Sequence, residues 1–435
     1  MTLLPGAVPS PLTGKVVTPG DNRYPLLRST YTTVGRPAAV VLPESAADIA
    51  AALRLARERG LPVAVRSGGH GLAGRATNHG GLVIDLGAMR RVDVLDRATG
   101  LVRVEAGARW AAVARALAPH GLAISSGDHG NVGVGGLATG GGVGWFVRHY
   151  GLTVDRIRAV EVVLADGSAV RADPSNEPDL FWAMRGAGAG TGIAVAFEIE
   201  AIELRAVGLA QFAVDVDPRG SVLRRWAAAM ADAPGELTTA VVLASRGSST
   251  SAFITAVVAS DSPRVIRAGL EPLLDLGESP GGQAHVVPYP ALVPADHLHP
   301  NTGQMPATTT NGLLTDMTPD AARAIVAAAS GPGAAMVQMR SVGGAVNDTD
   351  PSATAYAHRH QRTLVIATAF PPGGRRSLEA AWKGIAPHTD GAYVNFESNP
   401  DETAFRRAYP GATGDRVTAI RERYDPDRVL RPWAV

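Results

Sequence analysis

The sequence predicts an α+β protein, and three observations predict it. Apolar stretches of strand length alternate with amphipathic helical stretches through residues 1–204. From about Arg205 the texture changes, and strand-like runs alternate with Ala-rich helices separated by Pro- and Gly-containing loops. Two dense glycine clusters, Arg66–Gly74 and Ser125–Trp145, both fall in the first region. A chain of 435 residues with 46% hydrophobic content has material for two or three domains and a sizeable core.

In chain order, Val40–Leu42 reads as a strand. Ser45 then caps a helix that runs to Glu58, with Asp48 at the third position as a near capping box. Ile49, Leu53, Leu55 and Ala56 give that helix one buried face. Leu61–Val65 is the next strand and delivers the chain into the first glycine cluster. Leu82–Leu86, Val92–Leu95 and Val102–Val104 read as strands, and Trp110–Leu117 as a helix. After the second cluster come the strand Ile157–Leu164, the turn Ala165–Ser168, a helix in Asp179–Arg185 and the strand Ile193–Ile199. The second region offers strands at Leu209–Val214, Thr238–Leu243 and Ala252–Val258, with helices at Ser221–Ala231 and Asp320–Ala329. These read as a sheet with helices on one side. Ala392–Val435 ends in a helix around Asp415–Arg423, and the chain has no internal repeat.

Composition excludes several partners. Lysine and arginine number 41 against 40 acidic residues, with no basic run, which argues against nucleic acid and anionic membranes. Absence of cysteine removes disulfides, thiolate metal sites and a Cys nucleophile, and suits a cytoplasmic location. Met1–Asn22 lacks the basic and apolar segments of a signal peptide, and no apolar run approaches the roughly 18 residues of a membrane span. His297-Leu-His299 and His358-Arg-His360 would share a face on extended backbone, but only Asp296 offers a nearby carboxylate, so no metal is expected.

Gly133-Val-Gly135-Gly136-Leu-Ala138 satisfies a dinucleotide fingerprint, with Asp155 where a ribose-binding acid would sit. That fingerprint needs an apolar strand before it, and Ser125–Asn131 are polar or glycine. The glycines either let strands and turns pack closely or seat a flavin nucleotide. In the second case the amides of Arg66, Ser67, Gly68, Gly69, His70 and Gly71 form a nest for pyrophosphate, and Gly133–Gly144 supplies the other wall.

"VRSGGHGLAG", "VGVGGLATGGGVGWFVRHYGLTVD", "DLFWAMRGAG" and "YVNF…RERYDPDRVL" resemble four signature segments of the berberine-bridge-enzyme-like flavoproteins, in the vanillyl-alcohol oxidase superfamily. The resemblance spans essentially the whole chain. It implies a PCMH-type FAD-binding domain of two α/β lobes, residues 1–204 and 391–435, and an α+β substrate domain with an antiparallel sheet, residues 205–390. It implies FAD bound covalently through His70 to the flavin 8α-methyl. Cofactor contacts carried over onto this chain are Arg66, Ser67, Gly68, Gly69, His70, Gly71, Gly74, His129, Val132, Gly133, Gly135, Gly136, Leu137, Gly140, Gly142, Gly144, Trp145, Tyr150, Gly151, Leu152, Gly192, Ile193, Tyr393 and Asn395.

The activity implied is an oxidase that moves hydride from an alcohol- or amine-type carbon to flavin, reduces O2 to H2O2, and serves bacterial secondary metabolism. The alternatives are an oxygenase or oxidative cyclase of natural products, and a drug-sequestering resistance protein. A small-molecule substrate and O2 are the partners, with a monomer or homodimer expected. Tyr393 is the first choice for a base or hydrogen-bonding partner, with Asn395 beside it. Val132 matches the position that governs oxygen access. Tyr289, His297, Arg340, His358 and Glu397 rank lower.

The chain departs from the family pattern in three places. His129 stands where many relatives carry a second, cysteinyl attachment, so His129 is expected to be unattached. Gly190-Thr191 replaces a common Asn-Phe. The chain stops at "RPWAV" without the usual tail, so any flavin contact made by that tail is either missing or replaced, with Trp433 the candidate replacement.

Overall fold

Val40 and Val83, both fully buried, lie side by side in the first of four sheets. The computed structural model describes residues 10–247, 249–277, 283–295, 301–331 and 333–430. The first sheet is built from β1 (Val16–Val17), β2 (Ala39–Val41), β3 (Val63–Arg66) and β4 (Leu82–Asp85), in the order β1-β2-β4-β3. Helix α1 (Tyr24–Leu27) precedes β2. Between β2 and β3 runs α2 (Ala46–Glu58), so the parallel β2, β4 and β3 are joined across a helix, as parallel strands require.

The α2 helix forms for the reasons its sequence gives. Ser45 is extended and its side chain accepts the Asp48 amide at 3.2 Å. Asp48 does not complete a capping box: its carboxylate accepts from Lys15 Nζ at 2.6 Å and from the Glu44 amide at 2.9 Å. Ile49, Leu53 and Leu55 are buried against the sheet, each worth roughly 1.5–3 kcal/mol.

A five-stranded antiparallel sheet follows: β5 (Val92–Asp96) and β6 (Leu101–Glu105), then, after α3 (Trp110–Leu117) and the short β7 (Leu122–Ala123), β8 (Ile157–Val163), β9 (Ala169–Ala172) and β10 (Ile193–Glu200). Its order is β5-β6-β10-β8-β9, while β7 pairs with β11 (Ile202–Glu203). Helices α4 (Val134–Gly140), α5 (Val147–Tyr150) and α6 (Pro178–Met184) interrupt the succession. Gly133–Gly144 of the second cluster was expected to be bare wall, yet Val134–Gly140 is helical. Its glycines let α4 approach neighbours closely: a Cβ on Gly135 would stand 3.1 Å from the Ala106 carbonyl.

The third large element is a seven-stranded antiparallel sheet, order β15-β12-β14-β13-β17-β18-β16. Its strands are β12 (Ala206–Val216), β13 (Leu237–Arg246), β14 (Ser249–Val258), β15 (Gln283–Pro288), β16 (Thr308–Leu314), β17 (Met336–Ser341) and β18 (Thr363–Ala369). Helices α7 (Ser221–Asp232), α8 (Pro263–Leu270), α9 (Pro319–Ser330) and α10 (Gly374–Ile385) bury Val241, Ile254, Val337 and Val365 on one face. On the other face Leu313, Leu364 and Ile366 join the core that holds the glycine clusters. The last helices, α11 (Glu402–Ala408) and α12 (Ala412–Tyr424), pack back on the first region, with Arg416 pairing to Asp179 at 2.9 Å.

Candidate cofactor and active site

The two glycine clusters meet backbone to backbone. A Cβ on Gly68 would stand 2.2 Å from the Gly133 nitrogen, and one on Gly133 would stand 2.0 Å from the Gly68 nitrogen. Only glycine at both positions permits that approach. Ser67 fastens the contact, its hydroxyl donating to the Ala106 carbonyl at 2.5 Å and accepting the Gly135 amide at 3.3 Å. The Arg66 side chain is committed inward: it pairs with Asp85 at 2.8 Å and donates to the Ser29 and Leu27 carbonyls. Arg66 therefore has only backbone to offer a ligand.

The turn beyond it carries unused donors. Gly69 has φ +71° and Gly74 φ +69°. Among the described residues, the amides of Gly68, Gly69 and Gly71 donate to no protein acceptor. Nothing lies within 4 Å of where a Cβ on Gly71 or on Gly136 would stand. A nest of free amides beside bare glycine fits the pyrophosphate and flat rings of FAD.

His70 sits in this turn against Tyr31. The two rings stack at 4.5 Å with 12° between their planes, and His129 lies 5.0 Å from His70 on the other cluster. Tyr31 is itself held, its amide donating to the Gly69 carbonyl at 2.9 Å and its carbonyl accepting the Met305 amide at 3.2 Å. Asn301 adds a bond from the second region, donating to the Gly68 carbonyl at 3.0 Å. His129 accepts the Asn131 amide at 3.2 Å through Nδ1. Val132 is half-buried against the core, its carbonyl accepting the Trp110 amide at 3.1 Å.

The "YVNF" segment closes the site from the far end of the chain. Asn311 of β16, fully buried, donates to the Tyr393 carbonyl at 3.0 Å and accepts the Tyr393 amide at 2.7 Å. This clamp drives the Tyr393 ring toward the second cluster, where its hydroxyl accepts the Gly142 amide at 2.9 Å and Asn395 Nδ2 at 2.8 Å. Burial raises the phenol above its ordinary range, so it is neutral at physiological pH and its own proton remains to donate. Asn395 lies over Gly140, whose added Cβ would meet its amide oxygen at 2.4 Å. The Tyr356 ring stands 6.2 Å from Tyr393, and its buried hydroxyl has no partner among the described residues.

Arg340 of β17 crosses to the second cluster and pairs with Asp128, next to His129. Its guanidinium also stands 5.8 Å from the Phe396 ring. Glu397, whose carboxyl is raised by burial, accepts from the Thr310 hydroxyl at 2.8 Å and the Asn399 amide at 2.9 Å.

Other sequence-derived candidates make the following contacts within the protein. Trp145 and Tyr150 lie against the cluster of Phe146, Tyr289 and Leu292. Tyr289 donates to the Ile124 carbonyl at 3.2 Å and is pushed up to about 12 by burial. Leu137 packs on Gly142, and Gly144 stands against the Ser126 carbonyl. Gly151 turns with φ +77°, and Leu152 donates its amide to Asp155 at 2.9 Å. Gly192 lets Val162 approach and Ile193 begins β10. His358 is buried beneath Gly391, its Nε2 3.1 Å from the Ala408 carbonyl, rather than facing a pocket. His297, His299 and Trp433 lie outside the described residues.

Sequence reasoning missed Tyr31, Asp128 and Tyr356. Nothing local marks Tyr31 or Tyr356, whose ring partners are distant in sequence. Asp128 alone carried a signal, as the single acid inside a glycine cluster.

The model of an FAD binding domain family matches residues 37–173. The chain is 36% identical over 208 residues to (R)-6-hydroxynicotine oxidase of Paenarthrobacter nicotinovorans; the match takes in 47% of this chain and 45% of that enzyme, less than half its length. It is 28% identical over 449 aligned positions to an uncharacterized FAD-linked oxidoreductase of Bacillus subtilis, covering 97% of this chain and 96% of that one. Among solved structures, a chitooligosaccharide oxidase superposes with a TM-score of 0.87 at 24% identity, over 98% of both chains. Among the described residues, no helix is long and apolar enough to cross a membrane.

Proposed function

We propose that this chain is a berberine-bridge-enzyme-like, PCMH-type FAD-linked oxidase of an alcohol- or amine-type small molecule, carrying FAD on His70. When bound, FAD supplies the hydride acceptor and, through O2, the route to H2O2. The observation that carries the reading is the meeting of Gly68 with Gly133 beside a turn in which, among the described residues, the amides of Gly68, Gly69 and Gly71 have no protein acceptor. Those amides would hold pyrophosphate, and Gly136, with nothing within 4 Å of where a Cβ would stand, presents bare backbone to the rings. Tyr31 fixes the plane of the His70 imidazole, as a nucleophile needs.

On the substrate side, Tyr393 donates its proton as a hydrogen bond, with Asn395 setting the phenol's orientation. A substrate hydroxyl or amine positioned there is oriented for loss of its carbon-bound hydrogen, and surrounding burial excludes water. Residues 1–204 with 391–435 would form the cofactor domain, and residues 205–390 the substrate domain.

The test is acid precipitation of the purified protein. Flavin should stay with the pellet, and His70→Ala should release it to the supernatant. Peroxide release should then be screened against alcohols, sugars, amines and polyketide-like phenols. A wild-type preparation without flavin, or flavin that stays covalent in His70→Ala, overturns the assignment.

A further inference from the structure

A second cavity, about 590 Å³, runs along α7 away from the glycine clusters. Its walls carry four arginines, Arg148, Arg224, Arg225 and Arg362, against a single carboxylate, Asp316. That carboxylate stands 3.9 Å from Arg362, and both side chains are exposed. Arg224 and Arg225 have no carboxylate partner among the described residues; Arg225 donates to the Leu276 carbonyl at 3.0 Å.

Arg148 is the informative member. It is 5% exposed. Two of its nitrogens donate to the Leu237 and Ala233 carbonyls at 2.8 and 3.1 Å, while its Nε is buried with no acceptor. Among the described residues no carboxylate pairs with it. Burial lowers it to about 10, which leaves it charged at neutral pH. A buried cation without a counter-ion is costly to the fold, and an anion entering the cavity would offset that cost.

The remaining walls narrow the ligand. Ala227, Ala228 and Ala231 present a shallow apolar face of α7, with Met317 opposite. The cavity therefore presents cations over an apolar floor.

We infer that this cavity binds a small, flat organic anion, such as an aromatic carboxylate. Its carboxylate lies among the arginines and its ring on the alanines of α7. The inference does not depend on the flavin assignment, because none of these residues belongs to the glycine clusters' meeting point.

The test is calorimetric titration of the holoenzyme with 4-hydroxybenzoate and, separately, with its neutral isostere 4-hydroxybenzamide. The carboxylate should saturate at one site, bind at least about tenfold more tightly than the amide, and weaken as salt is added. The paired variant Arg224→Glu with Arg362→Glu changes exposed positions only, and should lose that tenfold preference with its melting temperature preserved. Equal binding of both probes, no saturable heat, or unchanged affinity in the charge-reversed variant overturns the inference. So does a flavin absorbance change that persists in that variant, since it would place the probe at the flavin.

Discussion

Arg359 holds Asp155 by a two-point ion pair, Nη1 to Oδ2 at 2.9 Å and Nη2 to Oδ1 at 2.7 Å, across 204 residues of sequence. The Arg359 side chain is fully buried and also bonds the Thr354 hydroxyl at 2.9 Å and the Tyr356 carbonyl at 3.2 Å. Removing one partner strands the other charge. Asp155→Ala should therefore lower unfolding free energy by about 3–5 kcal/mol. Asp155→Leu combined with Arg359→Met should recover much of that loss. Denaturant unfolding of the three variants checks both statements, and equal losses in single and double variants would count against the ion pair as the cause.

Tyr31 should govern how fast flavin becomes attached. Tyr31→Leu removes the stacked face that orients His70, and Tyr31→Phe preserves it. With apoprotein and added FAD, Leu should slow acid-stable incorporation by about tenfold or more, and Phe should match wild type. Equal rates in all three proteins would deny Tyr31 the positioning role.

Val132→Leu should slow flavin reoxidation while leaving reduction by substrate nearly intact. The half-buried valine packs on the core, and an added methylene takes up space in an interior with little slack. Stopped-flow traces of the two half-reactions separate these effects, and unchanged reoxidation would remove Val132 from the oxygen path.

His129 should gain a second attachment when replaced by cysteine. Its ring lies 5.0 Å from the His70 ring, and a thiolate is a stronger nucleophile than imidazole near neutral pH. His70→Ala with His129→Cys should retain some acid-stable flavin, whereas His70→Ala alone should retain none. Complete loss in both would place residue 129 away from the flavin ring.

His358 should make the protein acid-sensitive. Burial depresses it from 6.5 to about 4, so the folded state keeps it neutral where the unfolded chain would protonate it. Its contribution is therefore fully present above pH 6.5 and is lost as pH falls toward 4, an effect on the order of 3 kcal/mol. His358→Gln should flatten stability across that window relative to wild type. An identical pH profile would mean that other groups titrate there.

The sequence made legible what is written locally. Ser45 and Asp48 announced the start of α2, and the observed helix runs Ala46–Glu58 as its apolar spacing required. Strand ends shifted by one to three residues, as with β12, which begins at Ala206 rather than Leu209. The helix α4 went unseen because four of the residues from Gly133 to Gly140 are glycine, which local propensity disfavours in helices. Tertiary contacts with Ala106 and Asn395 override that preference. The site's glycines and His70 carried a motif. The partners that orient them, Tyr31 for His70 and Asn311 for Tyr393, carried none, since pairing across long separations leaves no periodicity to read.

The Tyr393 hydroxyl reaches back 251 residues to the Gly142 amide. A ribosome that has released only the first half of this chain has exposed both glycine clusters without the group that pins one of them. Truncation upstream of Tyr393 would unpin the second cluster however intact the glycine motifs remain.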